Sequence, residues 1–421
     1  MRFLLTSHGS TGDIYPKIRL GKALVDAGHQ VRYATSPFFR EDIERAGIEF
    51  VALPPDWDQQ GFAEAMRDLT HASNNVELLK TIYEESCPYL DEILDILSEE
   101  VRQADVFVSS YLFAHLGCLA EKYNKPFCIV TFAHNVIPSP HYPPEPFPRL
   151  RFLPFPLKRL YSMFLWHVAD RVIVYTLNLV VGRILERNDL PRCERFIFNP
   201  AALSLIAVSP GVMQPKKIRN TSRMKFVGYL RWQAPEDPEM QRELEAFTGG
   251  ERVPILNFGS VTFEETRKIM RRFHMNWPSG KKIIIQSGWA GLKMDRASRP
   301  EIKIIGRVSH DQLFKMASVV IHHGGAGTTA SVLHAGVPQI IIPHIADQFF
   351  FGKEVERLKT GISIGRRRWP ENLPSAVNRV EKSPKLKNRA REIAAILAEE
   401  DGPGNAVREL ESLGKSATVP V

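Results

Sequence analysis

The chain has 421 residues, of which 44% are hydrophobic, and a formal net charge of +8. This length and apolar content predict a globular protein with two domains of roughly 200 residues each. They exclude a chain that is unable to form a hydrophobic core. The positive charge suits a nucleic acid, a membrane surface or an anionic small ligand, but no zinc-finger spacing or RNP motif is present, so we expect no nucleic-acid partner.

The chain begins MRFLLTSHGSTGD, with one basic residue and a short apolar run but no small-residue cleavage site. These residues therefore predict a buried first strand and not a signal peptide. The four cysteines lie far apart and show no CxxC spacing, which argues against a disulfide framework or a thiolate metal site. We expect reduced thiols and a cytoplasmic protein.

Strand and helix signals alternate along the first half of the chain. A strand at 2–7 precedes a helix at 18–28, whose apolar residues recur with a period near 3.6 and which Gly28 closes. The further predicted elements are the strands QVRYAT, EFVALP, DVFVSS and PFCIVTF and the helix HLGCLAEKYN. The alternation predicts an N-terminal, doubly wound, Rossmann-like domain over residues 1–215.

The segment 147–190 is apolar with basic residues at intervals. Its longest uncharged stretch, Val172 to Gly182, has 11 residues, well short of the roughly 20 that a membrane span requires. We predict a pair of helices in the core of the first domain. The alternative is that the segment also forms an apolar wall for an acceptor or touches a membrane surface.

Residues 216–239 are rich in proline and charge and predict a linker. The alternation then starts again and predicts a second Rossmann-like domain over 240–395, followed by a helix and tail over 396–421 that pack toward the N-terminal domain. Its predicted elements are the strands VPILNFGS, KKIIIQSG, IKIIGR, VVIHHGG and PQIIIP and helices near 263–276, over HDQLFKMA and over TTASVLHAG. Two such domains place a cleft between the carboxyl ends of their sheets, where ligands of such sheets bind.

The stretch IHHGGAGTTASVLHAGVPQIIIPHIADQ, residues 321–348, carries the clearest chemistry. A strand ending in two histidines turns through glycines into a helix, which presents free backbone N–H groups and a positive dipole end. The hydroxyls of Thr328 and Thr329 and a histidine N–H can add hydrogen bonds. We predict a diphosphate site; the alternative is a tight turn beside a core histidine.

The same stretch continues into a second parallel strand, which delivers Asp347 and Gln348 at the same edge of the sheet. A carboxylate accepts hydrogen bonds and an amide both donates and accepts them, so the pair suits the vicinal hydroxyls of a sugar. A diphosphate site beside a sugar site predicts a nucleotide sugar as the ligand.

Three motifs together resemble family 1 glycosyltransferases of the GT-B fold, especially the bacterial natural-product, rhamnolipid and sterol-glycosylating branch. HHGGAGTTASVLHAGVPQIIIPHIADQFFFGKEVERLKTGISI is similar to the donor-binding signature, IGRVSHDQLF to the nucleobase segment, and NFGS to the phosphate and ribose loop. The resemblance implies that the protein transfers a hexose with inversion and without a metal or cofactor. It also implies that the hexose goes to a hydroxyl of a small hydrophobic acceptor, which the N-terminal domain binds. UDP-glucose is the preferred donor and a dTDP-sugar the next.

The resemblance also implies individual donor contacts. His323 is expected to bind the diphosphate and Val308 the base through its backbone, while Asp347 and Gln348 bind the sugar hydroxyls. The remaining contacts fall on the phosphate-facing Gly325, Gly327 and Thr328 and on Ser260 of the phosphate and ribose loop. Plant relatives have a ribose-binding glutamate where this chain has Ser331, and they have a base-stacking tryptophan within the nucleobase segment; Trp289 is the candidate substitute.

Asp13 lies where related bacterial enzymes have a catalytic aspartate, on the turn SHGSTGD, whose Ser10, Thr11 and Gly12 would face donor and acceptor. A carboxylate with a pKa near 4 is a weak base, so this role requires an environment that raises the pKa or a strong hydrogen bond to the acceptor. The alternative is that Asp13 is the N-cap of a helix at 16–28.

His8 and His134 are reserves for the base and are otherwise structural residues or acceptor contacts. The aromatic and apolar residues of the segment 134–155 suggest a hydrophobic aglycone or lipid as acceptor, although a proline-rich surface loop explains them equally well. A metal site at the histidines is disfavoured, because adjacent histidines on a strand point to opposite faces.

Two other functions remain open at this stage. One is a sugar-nucleotide epimerase of the same fold, against which the ADQ motif argues. The other is a non-catalytic auxiliary protein, which would be expected to have lost Asp13 or the set of His323, Asp347 and Gln348. All four residues are present.

Overall fold

The computed structural model describes residues 1–57, 61, 75–145, 147–150, 152–199, 201–215, 218, 220–232, 235–258, 266–287, 299–306, 308–345 and 347–417. These residues form two separate parallel sheets, of seven and six strands, with helices between the strands. The predicted α/β class with two doubly wound, Rossmann-like domains is confirmed.

The N-terminal sheet has the strand order β3-β2-β1-β4-β5-β6-β7, and all its pairs are parallel. The central strands β4 and β5 are buried along their whole length, as their continuous apolar runs predict. The strands are β1 (Arg2–Thr6), β2 (Gln30–Thr35), β3 (Glu49–Ala52), β4 (Val106–Ser110), β5 (Phe127–Thr131), β6 (Leu203–Ile206) and β7 (Met224–Phe226).

The helices of this half are α1 (Thr11–Asp26), α2 (Arg40–Arg45), α3 (Asn75–Ser86), α4 (Leu90–Gln103), α5 (Gly117–Lys122) and α6 (Phe155–Arg187). Helix α1 begins earlier than predicted because Ser10 is its N-cap. Asp13 occupies the third helical position, so the alternative that made Asp13 the N-cap is wrong. The serine and aspartate three residues apart form a capping box.

Helix α6 is one continuous helix of 33 residues, so the predicted pair of helices is wrong. The charged Asp170 near its middle does not interrupt it, because the side chain is buried and accepts the backbone N–H groups of Phe196 at 3.0 Å and Ile197 at 2.6 Å. Among the described residues, no helix has the length and apolar character that crossing a membrane requires.

The C-terminal sheet has the strand order β10-β9-β8-β11-β12-β13, again with parallel pairs throughout. Its strands are β8 (Val253–Asn257), β9 (Ile283–Gln286), β10 (Ile302–Ile305), β11 (Ala317–His322), β12 (Gln339–Ile341) and β13 (Gly361–Ser363). The remaining helices are α7 (Pro238–Thr248), α8 (Thr266–Asn276), α9 (His310–Phe314), α10 (Ala326–Ala335), α11 (Gln348–Leu358), α12 (Trp369–Glu381), α13 (Pro384–Ala398) and α14 (Gly402–Ala417).

The structure differs from the predicted linker at 216–239. Within that range, β7 pairs with β6 and completes the N-terminal sheet, and α7 begins at Pro238 with Asp237 as its N-cap. The proline and charge content that predicted a linker therefore belongs partly to a short edge strand and a capped helix start.

The two domains are held together by apolar packing and by the end of the chain. Val208 and Phe226 of the N-terminal domain lie in one buried cluster with Leu333 and Phe350 of the C-terminal domain. Helix α14 returns to the N-terminal domain, where its apolar residues join the core around β1 and α1. This packing turns the carboxyl ends of both sheets toward each other.

Candidate active site

A cleft of about 3050 Å³ lies between the domains, at the carboxyl ends of both sheets. The volume exceeds that of most small-molecule pockets, so the cleft has room for two ligands side by side. Most of the predicted site residues line it together: His8, Ser10, Thr11, Gly12, Asp13, Val308, His323, Gly325, Gly327, Thr328, Asp347 and Gln348. The predicted Ser260 and Trp289 lie outside the described residues.

Asp13 lies in the first turn of α1, directly after the end of β1. Its Oδ2 accepts the backbone N–H of Ser10 at 3.0 Å and lies 3.3 Å from the Ser10 hydroxyl. The Ser10 hydroxyl also accepts the N–H of Gly12. Two hydrogen bonds from Ser10 and the positive end of the helix thus hold Oδ2 of Asp13 at the edge of the cleft.

Burial raises the pKa of Asp13, against the opposing effects of the nearby Lys17 charge and the Ser10 hydrogen bonds. Lys17 is fully buried one turn further along α1, and its Nζ donates to the main-chain oxygen of Asp13 at 3.3 Å. The carboxyl group is therefore a stronger base than an exposed aspartate, which is the condition that a general base has to meet.

Gly9 gives Asp13 the space for this position. It has a φ of +127°, and a Cβ at Gly9 would lie 2.5 Å from Oδ2 of Asp13. A side chain here would strain the backbone and displace the carboxylate. The position of Asp13 therefore requires a glycine at residue 9.

His8 lies at the end of β1 beside Asp13, with its ring edge-on to Phe113 at 5.9 Å between ring centroids. Burial lowers its pKa to about 4, so the ring is neutral at physiological pH. Within the described part of the chain, its buried Nε2 has no hydrogen-bond partner. A neutral, unpaired ring nitrogen in the cleft can bind a hydroxyl of a ligand.

His134, the other reserve, does not line the cleft. Its buried ring packs edge-on against Phe350 of the C-terminal domain at 4.8 Å between centroids, and burial, with the charges of Arg357 and Arg149, lowers its pKa to about 4. The structure therefore places His134 in the contact between the domains and contradicts the prediction of an acceptor contact.

The wall of the cleft on the N-terminal side is apolar. Trp166, Ala169 and Ile173 project from one face of α6, and Val136 and Phe147 come from the segment 134–155. Further apolar lining residues are Leu79, Ile82, Ile93, Phe113 and Phe132. A hydrophobic ligand suits this wall, and α6 contributes to it as the sequence alternative proposed.

Helix α10 points its N-terminus into the cleft. Its first intrahelical N–H bond runs from Thr329 to Gly325 at 2.9 Å, so the N–H groups of Ala326, Gly327 and Thr328 have no partner within the helix. A Cβ at Gly327 would meet no protein atom within 4 Å, which leaves the backbone open to a phosphate. The Thr329 hydroxyl donates to Gly325 O at 2.9 Å, so it does not serve a ligand as predicted.

The two histidines that end β11 have different surroundings. His322 is fully buried; its Nε2 lies 2.9 Å from Gln339 Oε1 and its Nδ1 accepts the N–H of Gly324. His323 lines the cleft, and its buried Nδ1 has no partner among the described residues. Burial, and then the neighbouring histidines, hold the pKa of His323 well below its usual range, so the ring is neutral.

Asp347 and Gln348 lie at the start of α11, past the end of β12. The amide oxygen of Gln348 accepts the N–H groups of His344 at 2.8 Å and Ile345 at 3.2 Å, which leaves its NH₂ group to donate to a ligand. Burial, and then the charge of Asp13, raise the pKa of Asp347 to about 7. The two carboxylates from opposite domains are thus close enough to interact across the cleft.

A hydrogen-bonded chain of three polar residues lines the cleft near Val308. Asn257 Nδ2 donates to Gln286 Oε1 at 2.7 Å and lies 2.9 Å from His310 Nε2, and Gln286 Nε2 donates to Val308 O at 2.8 Å. The sequence analysis does not predict this set of hydrogen-bonded side chains. The available signal is a polar residue ending each of two buried apolar strands, VPILN and IIIQ.

No group of three or more histidine, cysteine or acidic side chains in the described ranges is placed to hold a metal ion. Cationic character on the donor side of the cleft comes from the N-terminus of α10 and from the N–H donors around it.

Two protein-family models match the chain, one in each half. A model of the glycosyltransferase family 28 N-terminal domain matches residues 3–127. A model of the C-terminal domain of erythromycin biosynthesis protein CIII-like proteins matches residues 282–413. The matched ranges fall on the two domains that face each other across the cleft.

The most similar curated relatives include sterol 3-beta-glucosyltransferases. That of Komagataella phaffii is 26% identical over 433 residues, which cover 97% of this chain and 34% of the relative. That of Arabidopsis thaliana is 28% identical over 420 residues, which cover 95% of this chain and 66% of the relative. The chain thus spans about a third of the length of the fungal relative.

Solved structures with the same fold include two glycosyltransferases. The glycosyltransferase of kitacinnamycin has a TM-score of 0.68 at 18% identity and covers 98% of both chains. The calicheamicin glycosyltransferase CalG4 has a TM-score of 0.68 at 19% identity and covers 100% of this chain and 99% of its own. These similarities show the fold and confirm the predicted GT-B arrangement.

Proposed function

We propose that the chain is an inverting hexosyltransferase, from the premise that its two family models, its sterol glucosyltransferase relatives and its structural neighbours support a family 1 glycosyltransferase of the GT-B fold. It moves a hexose from a nucleoside diphosphate sugar to a hydroxyl of a small hydrophobic acceptor. One observation carries the proposal: Asp13 of the N-terminal domain lines the same cleft as His323, Asp347 and Gln348 of the C-terminal domain.

The donor is held by the C-terminal domain. Its diphosphate accepts the free N–H groups at the start of α10 and a neutral N–H from His323, while Gly327 leaves room for a phosphate oxygen. The NH₂ group of Gln348 donates to one sugar hydroxyl and the carboxylate of Asp347 accepts from another. These contacts place the anomeric carbon between the two domains.

The transfer is an in-line displacement. The acceptor oxygen forms a bond to the anomeric carbon while the bond from that carbon to the diphosphate oxygen breaks on the opposite face. The hydroxyl proton passes to the carboxylate of Asp13, whose other oxygen is held by Ser10. The negative charge that develops on the leaving diphosphate is stabilised by the N-terminus of α10.

UDP-glucose is the proposed donor and a dTDP-sugar the second choice. Glucose as the sugar is supported by the sterol 3-beta-glucosyltransferases that resemble this chain, and a thymidine nucleotide by VinC, a neighbour of the same fold solved with DTDP. We propose that no metal ion or further cofactor takes part, because helix dipole and N–H donors supply the positive potential that a diphosphate needs.

The acceptor is proposed to be a hydrophobic alcohol or phenol, such as a sterol or another lipid. The apolar wall of Phe113, Trp166 and Ile173 supports this choice, as do the names of the sterol-glycosylating relatives. We further propose that the protein acts in the cytoplasm and in contact with a membrane surface, which the cysteine spacing and the apolar helix α6 support.

The test is calorimetry of the purified protein with a panel of nucleotide sugars in the presence of a chelator, followed by product analysis with and without an added alcohol. Binding in the micromolar to millimolar range and a new glycoside would support the proposal. Epimerised or hydrolysed sugar with no glycoside would assign a different enzyme, and no binding by folded protein would refute the donor assignment.

A further inference from the structure

Helix α6 carries an apolar stripe on its outer face. Ten of the fourteen large hydrophobic side chains that are exposed in the described part of the chain lie between Phe147 and Leu179, so exposure is concentrated in one region. Spacings of three and four residues bring seven of them to one face of the helix. These residues, the outer stripe, are Leu157, Leu160, Phe164, Val168, Val172, Tyr175 and Leu179.

The outer stripe is long and well exposed. Leu160, Phe164, Tyr175 and Leu179 are each between 63% and 69% exposed, and the stripe extends over about 33 Å at the rise of an α-helix. The opposite face of α6 packs into the N-terminal core through residues such as Trp166. A helix that is apolar on both faces is normally covered on both, and a continuous exposed apolar patch marks an interaction site.

The charges beside the outer stripe are positive. Arg171 lies within the stripe and Arg183 beside its end, and both are exposed. Asp170, the one acidic residue between 155 and 185, is buried and accepts backbone N–H groups. A face that combines exposed aromatic and aliphatic side chains with arginines suits an anionic lipid surface, where the apolar groups enter the acyl boundary and the arginines meet the head groups.

The same charges disfavour a second copy of the chain as the occupant. A two-fold contact places the same patch of both copies face to face. Arg171 lies between Val168 and Val172 in the middle of the outer stripe, so two stripes packed together would bring like charges into an apolar contact. Desolvating unpaired charges in this way is costly.

The outer stripe also continues into the cleft. Val168 and Val172 are exposed on the stripe and line the cleft, next to Ala169 and Ile173 on the cleft side of the same helix. A hydrophobic molecule held in a lipid surface could therefore reach the apolar wall along α6 without crossing water.

We propose that the outer stripe docks the protein on an anionic lipid surface and that a hydrophobic acceptor enters the cleft from that surface. The docking stands on the exposed residues and charges alone, whereas the acceptor route rests on the proposed function. Helix α6 lies along the surface in this arrangement and does not cross it.

The test is flotation with vesicles made of equal parts of phosphatidylcholine and phosphatidylglycerol, compared with vesicles of phosphatidylcholine alone. The unmodified protein, here called the parent, should float with the anionic vesicles, and added salt should release it. Binding by the double variant Leu160→Ser, Phe164→Ser should fall by about tenfold or more, and that by Arg171→Gln by about fivefold. Met275→Ser, which removes a 75% exposed methionine of α8, is the matched control and should bind like the parent.

The variants must also keep the fold and the cleft. Leu160, Phe164 and Arg171 do not line the cleft, so melting temperature and turnover of a water-soluble phenol should equal those of the parent. The proposal would be overturned if the double variant bound vesicles as well as the parent does. It would also be overturned if the parent did not bind vesicles but formed a dimer that the double variant cannot form. Vesicle binding by a parent that transfers no sugar would uphold the docking and refute the proposed function.

Discussion

Asp13 and Asp347 come from opposite domains and line one cleft, where burial and then the charge of Asp13 raise the pKa of Asp347 to about 7. Two carboxyl groups with raised pKa values in one cleft are typical of functional sites. In the proposed reaction, Asp13 accepts the proton and Asp347 binds the sugar.

Donor affinity should depend on pH through Asp347. Its folded pKa is raised, so the carboxyl group gains a proton as the pH falls through about 7, and its charge-assisted hydrogen bond from the sugar hydroxyl becomes a weaker neutral one. We expect the dissociation constant of UDP-glucose to rise by up to about tenfold for each pH unit below that point. Calorimetry from about pH 5 to about pH 9 measures it.

Two variants identify the group that titrates. Asp347→Asn should bind the donor weakly and with little pH dependence. Asp13→Asn removes a like charge, so the midpoint of the donor-binding curve should move to lower pH while the curve keeps its shape. A parent whose donor affinity is level across the range would contradict the role of Asp347.

The fold follows from the sequence where apolar runs are long enough to show a period. QVRYAT predicts β2 at its observed bounds of Gln30–Thr35. Strands β7 and β13 have three residues each, too few for a periodic signal, and they depend on the neighbouring strand that they pair with. Helix α6 is predicted as two helices but forms one, and the backbone N–H groups that satisfy its buried Asp170 belong to residues 196–198, which only the folded chain brings near.

The donor half of the site is predictable because its residues follow one another in a single strand, turn, helix and strand. The acceptor half is not, since Leu79, Phe113 and Trp166 come from distant parts of the chain and meet only in the folded protein. The same limit applies to His134, whose neighbour Phe350 belongs to the other domain.

His323→Ala should weaken donor binding more than it weakens the fold. The ring is neutral in the unliganded protein, so the lost contact is a neutral N–H that donates to an ionised phosphate, a bond worth about 1.5–3 kcal/mol. His322→Ala is the matched control: it removes the partner of Gln339 and of the Gly324 N–H, so it should lower the melting temperature instead. Unchanged donor affinity in His323→Ala would assign that residue to structure.

Gly324 and Gly327 should respond oppositely to alanine. Gly324 has a φ of +93° and its Cβ would lie 2.8 Å from Ile341, so Gly324→Ala should destabilise the protein by about 1–3 kcal/mol. Gly327→Ala meets no protein atom and favours the helix by about 0.5–1 kcal/mol, yet it puts a methyl group where a phosphate would lie. Thermal melts and donor titrations should therefore separate the two; full donor binding by folded Gly327→Ala would contradict the phosphate site.

Lys17→Met should move the acid limb of kcat/KM to higher pH. The ammonium lies near Asp13, over the Phe132 ring at 5.1 Å, and burial lowers its pKa to about 8. The positive charge of Lys17 lowers the pKa of Asp13, so its loss leaves Asp13 to the desolvation, which favours the protonated form.

A merely structural lysine would not change the pH profile. Removing one partner of a buried charge pair destabilises a protein, so we expect Lys17→Met to lower the melting temperature as well, and the pH profile is the readout that separates the two roles. Lys22→Met, which breaks an exposed ion pair with Asp26 on the same helix, is the control and should leave the profile in place. If the pH profile of Lys17→Met did not shift, Lys17 would have no role in setting the pKa of the catalytic base.

Asp13→Asn tests the base itself. Asparagine keeps an oxygen that can accept the N–H of Ser10, so the capping box survives, but the side chain cannot take a proton. Transfer to a phenol or alcohol should fall by about 10²–10⁴-fold. Donor affinity, measured well above the pKa of Asp347, and the melting temperature should change little.

The control for Asp13→Asn is Ser10→Ala, because Ser10 and not Asp13 caps helix α1. Loss of that cap should cost about 1 kcal/mol of stability, while the backbone N–H of residue 10 still holds the carboxylate, so turnover should fall far less than in Asp13→Asn. Near-normal turnover in Asp13→Asn would transfer the role to His8, whose unpartnered Nε2 lies in the same cleft, since His134 packs outside it. Burial lowers the pKa of His8 to about 4, so that ring would be a weaker base than an exposed histidine.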